Sequence, residues 1–150
     1  MIVLGSDHAG DELKQHIKKH FDEIGGEYID LGFVELKRDD DYPVIAKQVA
    51  RYVQSKKAEK GMLFCGTGIG MSMCANKFSG IRAVVASDIF SVRHSRLHNN
   101  ANILCMGARV IPAVCCLSTL STVTSLRISS SVAHTREGLF LYRPSNRPSI

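Results

Sequence analysis

The sequence predicts an α/β protein built on one parallel five-stranded sheet with helices on both faces. Three observations point there. Short apolar, strand-type stretches alternate with helix-type segments five times up to Gly107. A glycine-rich stretch, Cys65-Gly66-Thr67-Gly68-Ile69-Gly70, links the third apolar run to a segment of good helix formers. The chain has 150 residues, 45% hydrophobic and 22% charged, which suits one globular domain with a sizeable core.

The elements follow in order. Ile2-Val3-Leu4-Gly5-Ser6 reads as a first strand, and Asp7-His8-Ala9-Gly10 as the loop at its C-terminal end. From Asp11 to Ile24, Leu13, Ile17, Phe21 and Ile24 recur at helical steps, which puts Lys14, Lys18, Lys19 and Glu23 outside. Gly25-Gly26 stops that helix, and Glu27 to Leu31 is a second strand. Residues 32–41 are a polar loop ending in Asp39-Asp40-Asp41, an acidic flank that complements the dipole of the next helix rather than a metal site. Tyr42-Pro43 opens that helix, with Val44, Ile45, Val49 and Val53 as its apolar face.

Gly61 to Phe64 is the third strand, and the glycine loop leads into a helix over Met71 to Lys77. Ile81 to Ala86 is the fourth strand. A helix from Asp88 to Asn99, capped by Ser87 or Asp88, precedes the fifth strand, Ile103 to Gly107. Crossovers in such a sheet are right-handed, and ligands bind at the C-terminal strand ends where the strand order reverses.

Composition excludes several classes. No apolar run approaches the roughly 20 residues of a membrane-spanning helix. The N-terminus reaches Asp7 too early for a signal peptide. The five cysteines show neither Cys-x-x-Cys nor paired Cys/His ligand spacing, which argues for reduced thiols, no zinc site and a cytoplasmic protein. The net charge of +5 is not gathered into a basic stripe, so no nucleic-acid partner is expected.

Chemistry centres on the glycine loop. A strand, a glycine turn and a helix make an anion cradle, because free N–H groups and the helix dipole face the loop. A thiol at that point has its thiolate favoured, so Cys65 is a candidate base or nucleophile. The plain alternative is a βα turn with a small buried thiol. His94 and His98, four apart on one helix, could pair on a metal, but no Glu completes a metalloprotease motif, and a polar helix end is the plainer reading. Asp7-His8 likewise reads as a turn or as a site at a strand end.

Several stretches together resemble one family. Gly5-Ser6-Asp7-His8-Ala9-Gly10, Asp41-Tyr42-Pro43, the Cys65–Gly70 loop, Ala75-Asn76-Lys77, Gly80-Ile81-Arg82-Ala83, Arg96-Leu97-His98-Asn99 and Gly107-Ala108-Arg109-Val110 stand in the order of the B-type ribose-5-phosphate isomerases. That family includes allose-6-phosphate isomerase and the galactose-6-phosphate isomerase subunits. The resemblance covers about residues 1–111. It implies a Rossmann-like α/β/α sandwich, a homo-oligomer (dimer or tetramer) with its site at the dimer interface, and no metal or other cofactor. It implies an aldose–ketose isomerase of the pentose phosphate pathway, acting on a small sugar phosphate. Cys65 would move the proton between C1 and C2, and His98 would open the furanose ring. The amides of Gly66, Thr67, Gly68, Ile69 and Gly70 would hold the enediolate. Asp7, His8, Tyr42 and Asn99 would contact sugar or phosphate, and Arg109 would bind phosphate.

The C-terminus departs from that pattern. Residues 113–135 hold ten Ser or Thr in 23 positions, and no lysine follows Lys77. Residues 112–142 read as a divergent segment with a helix of poor formers as one option, and 143–150 as a disordered tail. Two arginines of the family's C-terminus fall on Ala133 and Glu137 when His134 is aligned, and Arg136 is out of register. Three functions stand side by side: an isomerase of ribose 5-phosphate or a 6-carbon sugar phosphate, a non-catalytic sugar-phosphate-binding relative, and a nucleotide-binding Rossmann domain. The last is disfavoured because the glycine loop follows the third strand rather than the first.

Overall fold

The computed structural model describes residues 1–33 and 42–111. The acidic run at 39–41 and the readings for 112–142 and 143–150 lie outside these residues.

Five strands form one sheet: β1 (Ile2–Ser6), β2 (Tyr28–Phe33), β3 (Lys60–Cys65), β4 (Ala83–Val85) and β5 (Ile103–Gly107). The order is β2-β1-β3-β5-β4 and every pairing is parallel. Four α-helices connect them: α1 (Asp11–Glu23), α2 (Tyr42–Gln54), α3 (Ile69–Ala75) and α4 (Ile89–Leu97). The expected Rossmann-like sandwich is therefore the observed one.

Side-chain alternation along the strands divides the core. Val3, Leu63, Cys65, Ile103 and Cys105 face α2 and α3, while Leu4, Met62, Phe64, Leu104 and Met106 face α1 and α4. The helix faces follow from the strand order. The α1 and α4 crossovers step one way across the sheet and the α2 and α3 crossovers step the other way. One handedness then puts each pair on its own face.

Boundaries moved where tertiary contacts outweigh pattern. β4 is shorter than read because Ile81 closes a turn onto the Phe78 carbonyl (3.1 Å). The Asn76 side chain clamps the start of β4, donating to and accepting from Ala83 at 2.8 Å. Asp88 is the α4 cap, accepting from the Ser91 N–H at 2.8 Å. Two side chains take the face opposite to the one their helical spacing predicts. Lys14 is buried rather than outside, because its Nζ reaches Asp11 (3.1 Å), Asp30 (3.2 Å) and the Gly32 carbonyl (3.0 Å). Val44 is exposed, and Ala46 and Ala50 take its expected place in the α2 face.

Candidate active site

The chain leaves β1 for β2 on one side and returns to β3 on the other, so the strand order reverses at β1. The C-terminal ends of β1, β3 and β5 meet there. Close backbone approach makes the junction tight. A Cβ on Gly10 would stand 2.2 Å from the Phe64 carbonyl carbon, so only glycine fits. Asp7 N–H donates to the Phe64 carbonyl (3.1 Å), which fixes the end of β1 against the end of β3. His8 starts a 3-10 turn, His8–Gly10, that Asp7 caps by accepting from Gly10 N–H at 3.0 Å.

Cys65 is the last residue of β3 and is 6% exposed. Its Sγ accepts from the Gly68 N–H at 3.0 Å. That bond orients the sulfur toward the loop and offers a donor to negative charge on it. Gly68 has φ +80° and caps α3, a conformation that disfavours any side chain. Thr67 Oγ1 accepts from Ile69 N–H at 3.3 Å. Two loop amides are thus engaged internally, one of them by the sulfur. Beneath the loop lies Cys105. Burial first, then the neighbouring Cys65, pushes its thiol far above the ordinary range, so it is a neutral filler.

Two side chains roof the loop. A Cβ on Gly66 would lie 3.4 Å from Arg109 Cδ and 3.5 Å from its Nε, and a Cβ on Gly70 would lie 2.8 Å from the Tyr42 ring. Arg109 is held by its own N–H on the Gly66 carbonyl (3.0 Å). Asp7 faces this group. Burial raises its carboxyl above the ordinary value, and the Gly10 N–H, His8 and Arg109 oppose that only in part. Asp7, Tyr42, the Gly66–Gly70 loop, Cys65 and Arg109 therefore come together in one chain.

His98 and Asn99 do not join them. α4 runs from the end of β4 back to the start of β5, and His98 caps its last turn. It stands at the N-terminal edge of the sheet, where Gly61 pairs with Ile103, whereas Cys65 pairs with Gly107 at the other edge. The steps from Gly61 to Cys65 alone span about 13 Å. His98 thus stands at a helix end, as the sequence reading has it, and at the sheet edge opposite Cys65. An α-helix that connects parallel strands must end at the opposite edge from where it began.

The sequence marks Gly107 as the end of a strand and the head of the Gly107–Val110 stretch, but not as a contact glycine. A Cβ there would stand 2.6 Å from Thr67 Cα, so this glycine lets the β5 end pass under the loop. Its place at a strand terminus before Ala108-Arg109 was the available signal. Among the described residues, no group of three or more His, Cys, Asp or Glu could hold a metal, and no helix is long and apolar enough to cross a membrane.

A thiol, a glycine loop and an arginine at the switch point of a parallel α/β sandwich form a set of groups able to hold an anionic ligand beside a candidate base. A family model described as Ribose/Galactose Isomerase matches residues 2–137. The chain is 48% identical over 110 residues to ribose-5-phosphate isomerase B of Escherichia coli, covering 73% of each chain. It is 41% identical over 112 residues to D-erythrulose-4-phosphate isomerase 2 of Mycolicibacterium smegmatis, covering 73% of this chain and 74% of that one. The structure of ribose-5-phosphate isomerase B from Mycoplasma genitalium with bound ribulose 5-phosphate superposes with TM-score 0.76 at 33% identity, over 82% of each chain. The chain belongs to the ribose/galactose isomerase family.

Proposed function

We propose that the protein interconverts ribose 5-phosphate and ribulose 5-phosphate through an enediolate. The observation that carries this is the Cys65 sulfur, fixed 3.0 Å from the Gly68 amide inside a glycine loop roofed by Arg109. Cys65 as thiolate takes the proton from C2 of the open-chain aldose. That C–H pair becomes the C1–C2 double bond, and the carbonyl oxygen takes the negative charge. Amides of the Gly66–Gly70 loop stabilise the oxyanion, each worth about 3–4 kcal/mol of barrier. Return of the proton to C1, with proton transfer from O2 to O1, gives the ketose. Arg109 and His8 hold the phosphate, and Asp7 and Tyr42 contact the sugar.

A homodimer completes the site. Ring opening needs an acid/base near the sugar, and His98 lies at the wrong edge of its own sheet, so His98 and Asn99 reach the site from a second copy. Exposed apolar side chains support a partner on both faces concerned: Met73 (63%) and Ile69 on α3 beside the loop, and Phe90 (70%) and Leu97 on α4 beside His98. Cys65 must stay reduced to act as a base, which fits a cytoplasmic location.

The test is turnover of ribose 5-phosphate by the full chain, compared with allose 6-phosphate and galactose 6-phosphate. The expected order of kcat/KM puts ribose 5-phosphate first. Binding of all three without turnover would make the protein a non-catalytic relative instead. With Ala133 and Glu137 standing where the resemblance places arginines, the KM is expected to be high. Ala133→Arg/Glu137→Arg lowers it if the tail reaches the site.

A further inference from the structure

The last turn of α4 carries two imidazoles in an arrangement that spacing alone does not give. The His94 and His98 ring centroids are 5.1 Å apart and tilted by 48°. A tetrahedral zinc ion holds each imidazole nitrogen at about 2.0–2.1 Å, which sets each ring centre about 3.2 Å from the metal and two such centres about 5.2 Å apart. The observed separation matches that of a chelating pair.

A second feature points the same way. His94 Nδ1 lies 2.8 Å from the Phe90 carbonyl oxygen. A carbonyl only accepts, so Nδ1 carries the hydrogen, and in the neutral ring the lone pair available to a metal is that of Nε2. Metal-bound histidines typically hold their second ring nitrogen on a backbone carbonyl or carboxylate in this way. The Phe90 ring stacks on His94 at 3.8 Å and 29°, which fixes the imidazole plane. His16 and His20 on α1 have the same sequence spacing, and His16 makes the same bond to the Glu12 carbonyl at 2.8 Å. The His–His ring contact found among the described residues is nevertheless the one on α4.

We infer that His94 and His98 form a two-imidazole chelate for a divalent first-row transition ion, with Zn²⁺ as the probe. Water fills the remaining positions, so binding is open and reversible and involves no redox step. The ion occupies the His98 nitrogen that ring opening uses, so the same site inhibits the isomerase. That consequence rests on the function proposed above, whereas the chelate itself does not.

Isothermal titration of the full chain with zinc chloride at neutral pH tests the site directly. One ion per chain is expected for the wild type. His94→Gln and His98→Gln should each weaken binding at least ~10-fold, and His16→Gln should leave it unchanged. Imidazole proton NMR on the wild type adds a readout that needs no variant, with two histidine rings shifting together on zinc addition. Absence of zinc uptake, or uptake that survives both α4 substitutions, overturns the chelate. Turnover forms a separate arm. Zinc should inhibit the wild type reversibly, with EDTA restoring activity, and should not inhibit His94→Gln. Zinc binding without inhibition upholds the chelate and removes His98 from the ring-opening step.

Discussion

At Cys65 the surroundings matter as much as the thiol. The sulfur ends a buried strand, faces a glycine loop and takes an N–H from Gly68. Replacing it by alanine removes the proposed base and leaves the loop backbone in place. Cys65→Ala should lower turnover at least ~10²-fold with little change in substrate affinity. Near-native turnover in a stopped assay would make the thiol structural. Asp7 shows the opposite balance, a group whose position costs stability. Burial raises its carboxyl above the ordinary 3.8. The folded protein then holds this proton more tightly than the unfolded chain, so stability is fully present below about 3.8 and falls as pH rises through the folded value. Asp7→Asn keeps an acceptor for Gly10 N–H and removes the buried charge. Its Tm should exceed that of the wild type at neutral pH, and the gap should close as the pH falls toward 4. A constant gap across that range would count against the burial account.

At the scale of elements, the loop is set by what passes above and below it. Gly107 lets the end of β5 run under Thr67, and Gly70 lets the Tyr42 ring lie over the start of α3. The two glycines predict different failures. An alanine at Gly107 meets Thr67 backbone at 2.6 Å, which cannot move without the loop. Gly107→Ala should cost about 1–3 kcal/mol in urea unfolding and reduce turnover as well. An alanine at Gly70 meets the exposed ring of Tyr42 at 2.8 Å, and a side chain at the surface can swing aside. Gly70→Ala should therefore leave stability nearly unchanged and raise KM for the sugar phosphate. Equal stability losses in the two variants would refute this distinction between backbone and side-chain contacts.

Across the whole molecule, the position of α4 bears on how many chains the proposed site needs. Cys65 and His98 lie at opposite sheet edges, so a dimer that pairs them has two composite sites. Cys65→Ala and His98→Asn homodimers should each be nearly inactive on the cyclic substrate. Unfolding them together and refolding the equal mixture gives half heterodimers, each with one intact site and one doubly altered site, so about a quarter of wild-type activity should return. No recovery above the two parents, with heterodimers confirmed by native mass spectrometry, would show that one chain supplies both groups.

The sequence by itself determined the sheet, its helices and the glycine loop at the end of β3. These depend on local periodicity and on residues that fix backbone conformation, and both are written within a few positions of each other. Cys65, Gly66–Gly70 and Asp7 stood out as candidates for the same reason, since each lies at the end of a strand, whereas Arg109 was marked only by the family resemblance. Tertiary structure alone decided the rest. It buried Lys14 by bringing Asp30 and Gly32 of β2 to its ammonium, although the helical pattern placed it in solvent. It exposed Gly107 as a contact glycine, because only the β3–β5 pairing puts Thr67 above it. It also sent His98 to the far edge of the sheet. Spacing shows that a histidine ends a helix, but which edge that helix ends at depends on the direction of its crossover between parallel strands.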